Sequence, residues 1–368
     1  MEKSQKRLIV FMPSMEGGGV EKNIILISNY LSNYFNNIKL ITFDDNFNKK
    51  FSKKIDIVNY KKKTTKKFSK YFKYLVCLLI LSKEILSNGN SLVISFQANI
   101  YTIILSKFLR YKIIVRSNSS PTGWTNNMLK NYIFKKFFKI PKGIIVNSYD
   151  FKKEIDKKFN LKTKVIYNPL NKLEIKKKSQ EKTNFKFFEK KNTLKLINVA
   201  RFTDQKDHIT LLKAFLKVNK IIDVKLLLIG YGVNKNKLIN FIKTNNLTKN
   251  VKILPYQKNP YKFIKKCDVF ILSSAYEGLP NVLLESMTLK KFIISTDCPT
   301  GPREILNNGK YGLLYKVGNH DDLFKKIMNY KKNKSKYKNY IDNGYKSLER
   351  FNFNNNCKKY LNLIRKYM

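Results

Sequence analysis

The chain is 368 residues long, 43% hydrophobic and 13% aromatic. That is enough to bury two cores and excludes disorder throughout. Its 74 Lys and Arg against 25 Asp and Glu give a formal net charge of +49, split between 32 basic and 10 acidic residues in 1–168 and 42 and 15 in 169–368, so no single basic arm or domain carries it.

Short β-branched runs alternate with longer helical patterns, the signature of parallel sheets covered by helices. The opening "MEKSQKRLIVFMPS" has an apolar run of only about five residues, too short for a signal-peptide core. Strands are predicted at 7–12, 38–43, 91–96, 112–117, 143–148 and 164–169, with helices near 20–34, 67–87, 98–109, 126–139 and 149–158. The longest apolar stretch, "YLVCLLILS" at 74–82, falls well short of the ~20 residues of a membrane span. Asn168-Pro169 reads as a turn and hinge, and the polar 170–192 as a linker. The pattern then restarts, with strands at 194–200, 224–230, 251–255, 268–274, 292–297 and 312–316. Helices are expected near 207–220, 234–246, 258–266, 281–290 and 320–332, and two more in the tail at 334–368. Two successive doubly wound α/β domains follow, binding ligands at the carboxyl ends of their strands.

Cys77, Cys267, Cys298 and Cys357 form no CxxC pair, and His208 and His320 are too few to build a zinc site with them. A reducing cytoplasmic location is the expectation, with peripheral contact on the inner face of the plasma membrane. The abundance of Asn and Ile beside Lys is the mix that AT-rich codons impose. Attraction to anionic headgroups or polyanionic substrates is the functional alternative for the charge, and the runs at 61–67 and 66–75 are its best local candidates.

Three loops at strand ends suit phosphate or sugar. Gly17, Gly18 and Gly19 lie between the first strand and a helix, where backbone N–H groups can approach an anion; a plain flexible turn is the alternative. No G-x-G-x-x-G or P-loop spacing accompanies them. Arg201 and Lys206 stand at the end of "LKLINVA" and suit a diphosphate, although close basic pairs are common in so basic a chain. In "SSAYEGLPNVLLESM", Glu277 precedes a helix that Pro280 should open, and Glu285 lies inside it. A carboxylate matches a vicinal diol, so the two could hold two sugars around a diphosphate. Spacing alone leaves a helix-dipole role for Glu277 and a solvated position for Glu285 equally open.

"YEGLPNVLLESM", with "NVARFTDQKDHITLLKAF" upstream, resembles the retaining GT-B glycosyltransferases of family 4, the glycosyl transferases group 1. Their Glu-x7-Glu motif after an S-x-x-E-G-x-P loop is matched by Glu277 and Glu285. "IISTDCPTGPREIL", "GGGVEKN" and "VIYNP" fit the same family, whose members build bacterial surface polysaccharide, lipopolysaccharide, glycoprotein glycans and lipid-linked oligosaccharides. The resemblance implies an acceptor-binding Rossmann-like domain at 1–168 and a nucleotide-sugar-binding one at 169–349, facing a cleft. It also implies that a terminal helix at 350–368 packs back on the first domain. Carried over by motif, Arg201 and Lys206 bind the donor diphosphate, Glu285 the ribose and Glu277 the donor sugar. Gly278, Leu279 and Asn281 face sugar and phosphate, Gly18 and Gly19 close over the phosphates, and Gly230 lies near the nucleotide. No metal or cofactor is implied. The substrates are a nucleotide-sugar, UDP-linked by family frequency, and a glycan or polyprenyl-diphosphate-linked acceptor.

Many members carry a histidine after the strand read here as "KIIVRS". This chain has Arg116, Ser117 and Asn118 there, which makes Arg116 and Asn118 acceptor-side candidates. Two rival functions draw on parts of the same sequence. A nucleotide-sugar 2-epimerase would carry more carboxylates and histidine in the cleft. A basic nucleic-acid-binding protein is suggested by charge alone, and no specific nucleic acid is expected as a partner.

Overall fold

Runs such as "RLIVF" and "SLVIS" are buried along their whole length, as strands covered on both faces must be. The computed structural model describes residues 6–60, 68–118 and 128–368. The Lys-rich run at 61–67 and the 119–121 end of "RSNSSP" lie outside them. The chain divides into two compact units, Met1–Pro169 with Phe353–Met368, and Leu170–Asn352.

In the first unit the elements are β1 (Arg7–Phe11), α1 (Gly19–Leu31), β2 (Ile38–Ile41), β3 (Ile55–Val58), α2 (Lys70–Ser87), β4 (Ser91–Ser95) and α3 (Asn99–Leu109). They continue with β5 (Lys112–Arg116), α4 (Met128–Phe137), β6 (Gly143–Val146), α5 (Tyr149–Phe159) and β7 (Lys164–Val165). The strands form a seven-stranded sheet, β3-β2-β1-β4-β5-β6-β7, in which all neighbours pair in parallel. Ile24, Ile27 and Leu31 of α1 pack on one face, and Cys77, Ile103, Phe138 and Phe151 from the α2–α5 side pack on the other.

The second unit holds α6 (Lys172–Ser179), β8 (Leu194–Val199), α7 (His208–Asn219), β9 (Val224–Ile229), α8 (Lys235–Thr244), β10 (Val251–Leu254), α9 (Tyr261–Ile264) and β11 (Val269–Leu272). It ends with α10 (Asn281–Thr288), β12 (Phe292–Thr296), α11 (Pro302–Ile305), β13 (Leu313–Tyr315), α12 (His320–Lys332) and α13 (Lys338–Ser347). Its sheet, β10-β9-β8-β11-β12-β13, is again parallel. The last helix, α14 (Phe353–Tyr367), returns to the first unit, where Tyr360, Leu361, Leu363 and Ile364 share the core of α1.

The structure departs from the sequence reading at β3, at α6, at the short α11, which was not expected, and at Pro280. β3 is an unpredicted edge strand in which only Ile55 is fully buried, so its apolar signal is thin. Part of the expected linker is α6, which buries only Ile175 and Ser179 and so shows little periodicity. Asn171 caps it by accepting the Glu174 N–H at 3.1 Å. Pro280 sits just before α10 rather than in its first turn, with ψ of 103°.

Candidate active site

The strands of the second sheet are added outward in one direction from β8 and in the other from β11, so the loops leaving these parallel neighbours part at one point. Lys206 comes from the first loop and Glu277 from the second. The Lys206 Nζ donates to Glu277 Oε1 at 2.5 Å, and Ser274 Oγ donates to the same oxygen at 2.6 Å. The two side chains are 15% and 9% exposed, so each charge is screened mainly by the other. Among the described residues no donor reaches Glu277 Oε2, which leaves that oxygen open to a ligand hydroxyl.

The loops are laced by further bonds. Ser273 Oγ donates to the Lys206 carbonyl at 2.7 Å, the Ala275 N–H to the Gln205 carbonyl at 2.8 Å, and Gln205 Nε2 to the Tyr276 carbonyl at 2.9 Å. A third loop, after β12, supports them: Thr300 Oγ1 donates to the Glu277 carbonyl at 2.6 Å. Gly301 next to it has φ of +84°, and a Cβ there would stand 2.1 Å from the Gly278 carbonyl oxygen. Glu277 is therefore fixed from both sides.

Beyond Gly278 and the buried Leu279, Asn281 opens α10, whose N-cap residue Pro280 offers no capping side chain. The partial positive charge of its first turn lies four residues from the Glu277 position. Glu285 is buried inside the helix and accepts the Tyr261 hydroxyl at 3.2 Å. Neither a solvated Glu285 nor a bare dipole role for Glu277 describes this geometry.

Arg201 is exposed, and its side chain makes no hydrogen bond or ion pair among the described residues. Its loop presses on the one after β9: the Phe202 N–H donates to the Tyr231 carbonyl at 2.7 Å, and a Cβ on Gly230 would meet the Ala200 carbonyl oxygen at 1.9 Å. Gly230 thus serves close backbone approach. His208, the first residue of α7, is buried with Nε2 at 3.0 Å from Asn198 Oδ1. Burial, with the Lys206 charge second, pulls its pKa down to about 4. Burial, with the Glu277 charge second, pushes the Cys298 thiol up to about 12. All four cysteines are buried and unpaired.

In the first unit the switch lies between β1 and β4. The Gly18 N–H donates to Glu21 Oε2 at 2.9 Å and the Glu16 N–H to Glu21 Oε1 at 3.1 Å. Gly18 holds an ordinary φ of −113°, and Gly19 begins α1. At the end of β5, Arg116 is wholly buried. Its Nε donates to the Tyr360 hydroxyl at 2.8 Å, one terminal nitrogen to Asn168 Oδ1 at 2.5 Å and the other to Asn118 Oδ1. Asn118 in turn donates to the Phe96 carbonyl at 2.6 Å.

Among the named candidates, the structure joins Lys206 to Glu277 and Arg116 to Asn118. Glu285 meets Tyr261 instead. Ser274, Tyr261, Asn168 and Tyr360 had no assigned part. Ser274 could have been found as the serine of the S-x-x-E-G-x-P pattern and Asn168 as the asparagine of "VIYNP"; the two tyrosines carry no local signal. Among the described residues, no group of three or more His, Cys, Asp or Glu is placed to hold a metal ion.

Residues 179–347 match the family profile described as "Glycosyl transferases group 1". An uncharacterized glycosyltransferase of Methanocaldococcus jannaschii is 36% identical over 258 residues, 61% of this chain and 63% of that protein, so the match spans less than two thirds of the relative. The N-acetylgalactosamine-N,N'-diacetylbacillosaminyl-diphospho-undecaprenol 4-alpha-N-acetylgalactosaminyltransferase of Campylobacter jejuni is 24% identical over 97% of this chain and 99% of its own length. The crystal structure of Anabaena HepE in complex with UDP superposes with a TM-score of 0.77 at 17% identity, covering 98% of this chain and all of that one. At that identity the likeness is one of fold.

Proposed function

We propose that the chain is a glycosyltransferase of the glycosyl transferases group 1, whose profile matches residues 179–347, and that on its GT-B fold it transfers a hexose or N-acetylhexosamine from a UDP-sugar to a glycan or polyprenyl-diphosphate-linked acceptor, with retention of configuration. The observation that carries this reading is the Lys206–Glu277–Ser274 cluster, with Glu277 four residues before the start of α10, Arg201 nearby in sequence and Glu285 buried inside the helix.

In this reading the diphosphate is held by Arg201, Lys206 and the α10 N-terminus, three sources of positive charge that need no added metal. Glu277 Oε2 accepts a hydroxyl of the donor sugar while Oε1 stays on Lys206 and Ser274, and Glu285 accepts the ribose hydroxyls. The bond from the anomeric carbon to the phosphate oxygen breaks as the bond to the acceptor oxygen forms on the same face. The acceptor proton passes to the departing diphosphate, whose growing charge Arg201 and Lys206 stabilise. Such preorganised charge is effective because it costs no reorganisation at the moment of transfer. Arg116 and Asn118, bound to each other and to the first unit's core, are assigned to shaping the acceptor side.

The test is thermal stabilisation of the purified chain by UDP, UDP-sugars and GDP-sugars. A UDP-sugar should raise the melting temperature of the wild type, and Glu285→Gln should weaken that rise. If no nucleotide or nucleotide-sugar stabilises the protein, the donor site is misassigned. Stabilisation by GDP-sugars alone would correct the base.

A further inference from the structure

Helices α2, α3 and α4 lie side by side on one face of the first sheet: α2 packs on α3, α3 on α4, and their inner residues share one core. Their outer faces are apolar to a degree that the core does not require. On α2, Tyr71, Leu75 and Leu79 recur every four residues, which keeps them within roughly 80° of arc. Leu79 is 63% exposed and Phe108 on α3 is 76% exposed, and Leu129 and Tyr132 stand out from α4. Exposed apolar residues concentrated on neighbouring helices mark an interaction surface.

The exposed charges on these helices are of one sign. Lys70, Lys83, Lys107, Lys135 and Lys136 are exposed. The sole acidic residue in the three sequences, Glu84, is turned into ion pairs with Arg7 at 2.8 Å and Lys39 at 3.0 Å. Aliphatic tips, tyrosines at the margin and unopposed lysines are what a helix layer lying in a headgroup region presents. None of the described helices is long and apolar enough to cross a membrane.

We propose that the outer face of α2, α3 and α4 docks on an anionic lipid surface, with Leu75, Leu79, Phe108 and Leu129 entering the acyl boundary and the lysines meeting headgroup phosphates. This deepens the proposed function, since a polyprenyl-diphosphate acceptor would be reached at such a surface. The docking itself is testable without turnover. Anionic lipid is favoured over a protein partner by charge complementarity: each exposed lysine near a negative leaflet adds attraction, and among the described residues no carboxylate on the face opposes it.

The full chain is to be sedimented with vesicles of phosphatidylcholine alone and of phosphatidylcholine with phosphatidylglycerol, at low and high salt. The wild type should pellet with the anionic vesicles, not the neutral ones, and be released by salt. Leu79→Asp/Phe108→Asp and Lys83→Glu/Lys107→Glu should each weaken partitioning by about tenfold or more, while Lys83→Arg/Lys107→Arg keeps it. Stabilisation by UDP, measured on the same samples, should be the same in all of them and reports that the variants are folded. A wild type that stays in solution, equal binding to both vesicles, or a charge-reversed variant that binds normally would overturn the proposal. A wild type stabilised by no nucleotide or nucleotide-sugar would instead sink the donor-site reading and leave the docking surface standing.

Discussion

The Nε of Arg116 donates to the Tyr360 hydroxyl at 2.8 Å, across 244 residues of sequence, and joins the end of β5 to α14. Arg116 is wholly buried and, among the described residues, has no carboxylate partner; its charge is met by the oxygens of Tyr360, Asn118 and Asn168 and lies 5.5 Å from the Phe96 ring. Burial holds the Tyr360 hydroxyl above its usual range, although Arg116 pulls the other way, so it remains a neutral acceptor. Removing one acceptor from a buried cation is costly. Tyr360→Phe should destabilise the protein by about 2 kcal/mol in urea unfolding. Arg116→Lys should cost at least as much, because an ammonium cannot span three partners set out as a fork.

Lys206 and Glu277 allow stability and catalysis to be separated. Lys206→Ala leaves a buried carboxylate with Ser274 as its only donor among the described residues and should cost about 3 kcal/mol. The double change Lys206→Ala/Glu277→Ala should recover part of that loss, a coupling that denaturation of the four proteins measures. Glu277→Gln still offers Ser274 an acceptor, so its fold should survive. Sugar transfer should nevertheless fall roughly a hundredfold, as expected when a charged group is lost from the reacting centre. Normal turnover by Glu277→Gln would remove Glu277 from the chemistry.

Two glycines of superficially similar position should answer differently to alanine. At Gly230 the new methyl would lie 1.9 Å from the Ala200 carbonyl oxygen, which is backbone and cannot step aside. Gly230→Ala should cost about 3 kcal/mol and reduce nucleotide binding by parting the loops after β8 and β9. At Gly18 the nearest atom, 3.0 Å away, is the flexible end of Glu21, and φ is already ordinary. Gly18→Ala should change the unfolding free energy by less than about 1 kcal/mol.

This contrast bears on what the sequence could disclose. The two parallel sheets were legible because their strands are continuous apolar runs between amphipathic helices. The Glu277 and Glu285 positions were legible because their spacing matches a family motif. β3 and α6 were not, since one is a thin edge strand and the other buries just two residues. The partners of the site residues were hidden for a different reason. Tyr261 reaches Glu285, and Tyr360 reaches Arg116, only once separate elements have packed. Nothing in the local sequence around either tyrosine marks it as a hydrogen-bond donor or acceptor for a charged group.

His208 should make stability fall in mild acid. Asn198 Nδ2 donates to the Ile271 carbonyl at 2.8 Å, which turns Oδ1 toward the imidazole; Nε2 must therefore carry a hydrogen in the neutral ring. With the folded pKa at about 4 and an unfolded value near 6.5, the unfolded chain binds the extra proton first. The contribution is thus complete above about pH 6.5 and is lost as pH falls toward about 4, amounting to roughly 3 kcal/mol at most. Carboxylates also titrate in this window, so the comparison has to be with His208→Gln, which can still donate to Asn198 but does not ionise. Urea unfolding from about pH 7 to about pH 4 should show the wild type losing more stability than the variant. Parallel loss in both proteins would mean that the imidazole takes its proton without leaving the folded state.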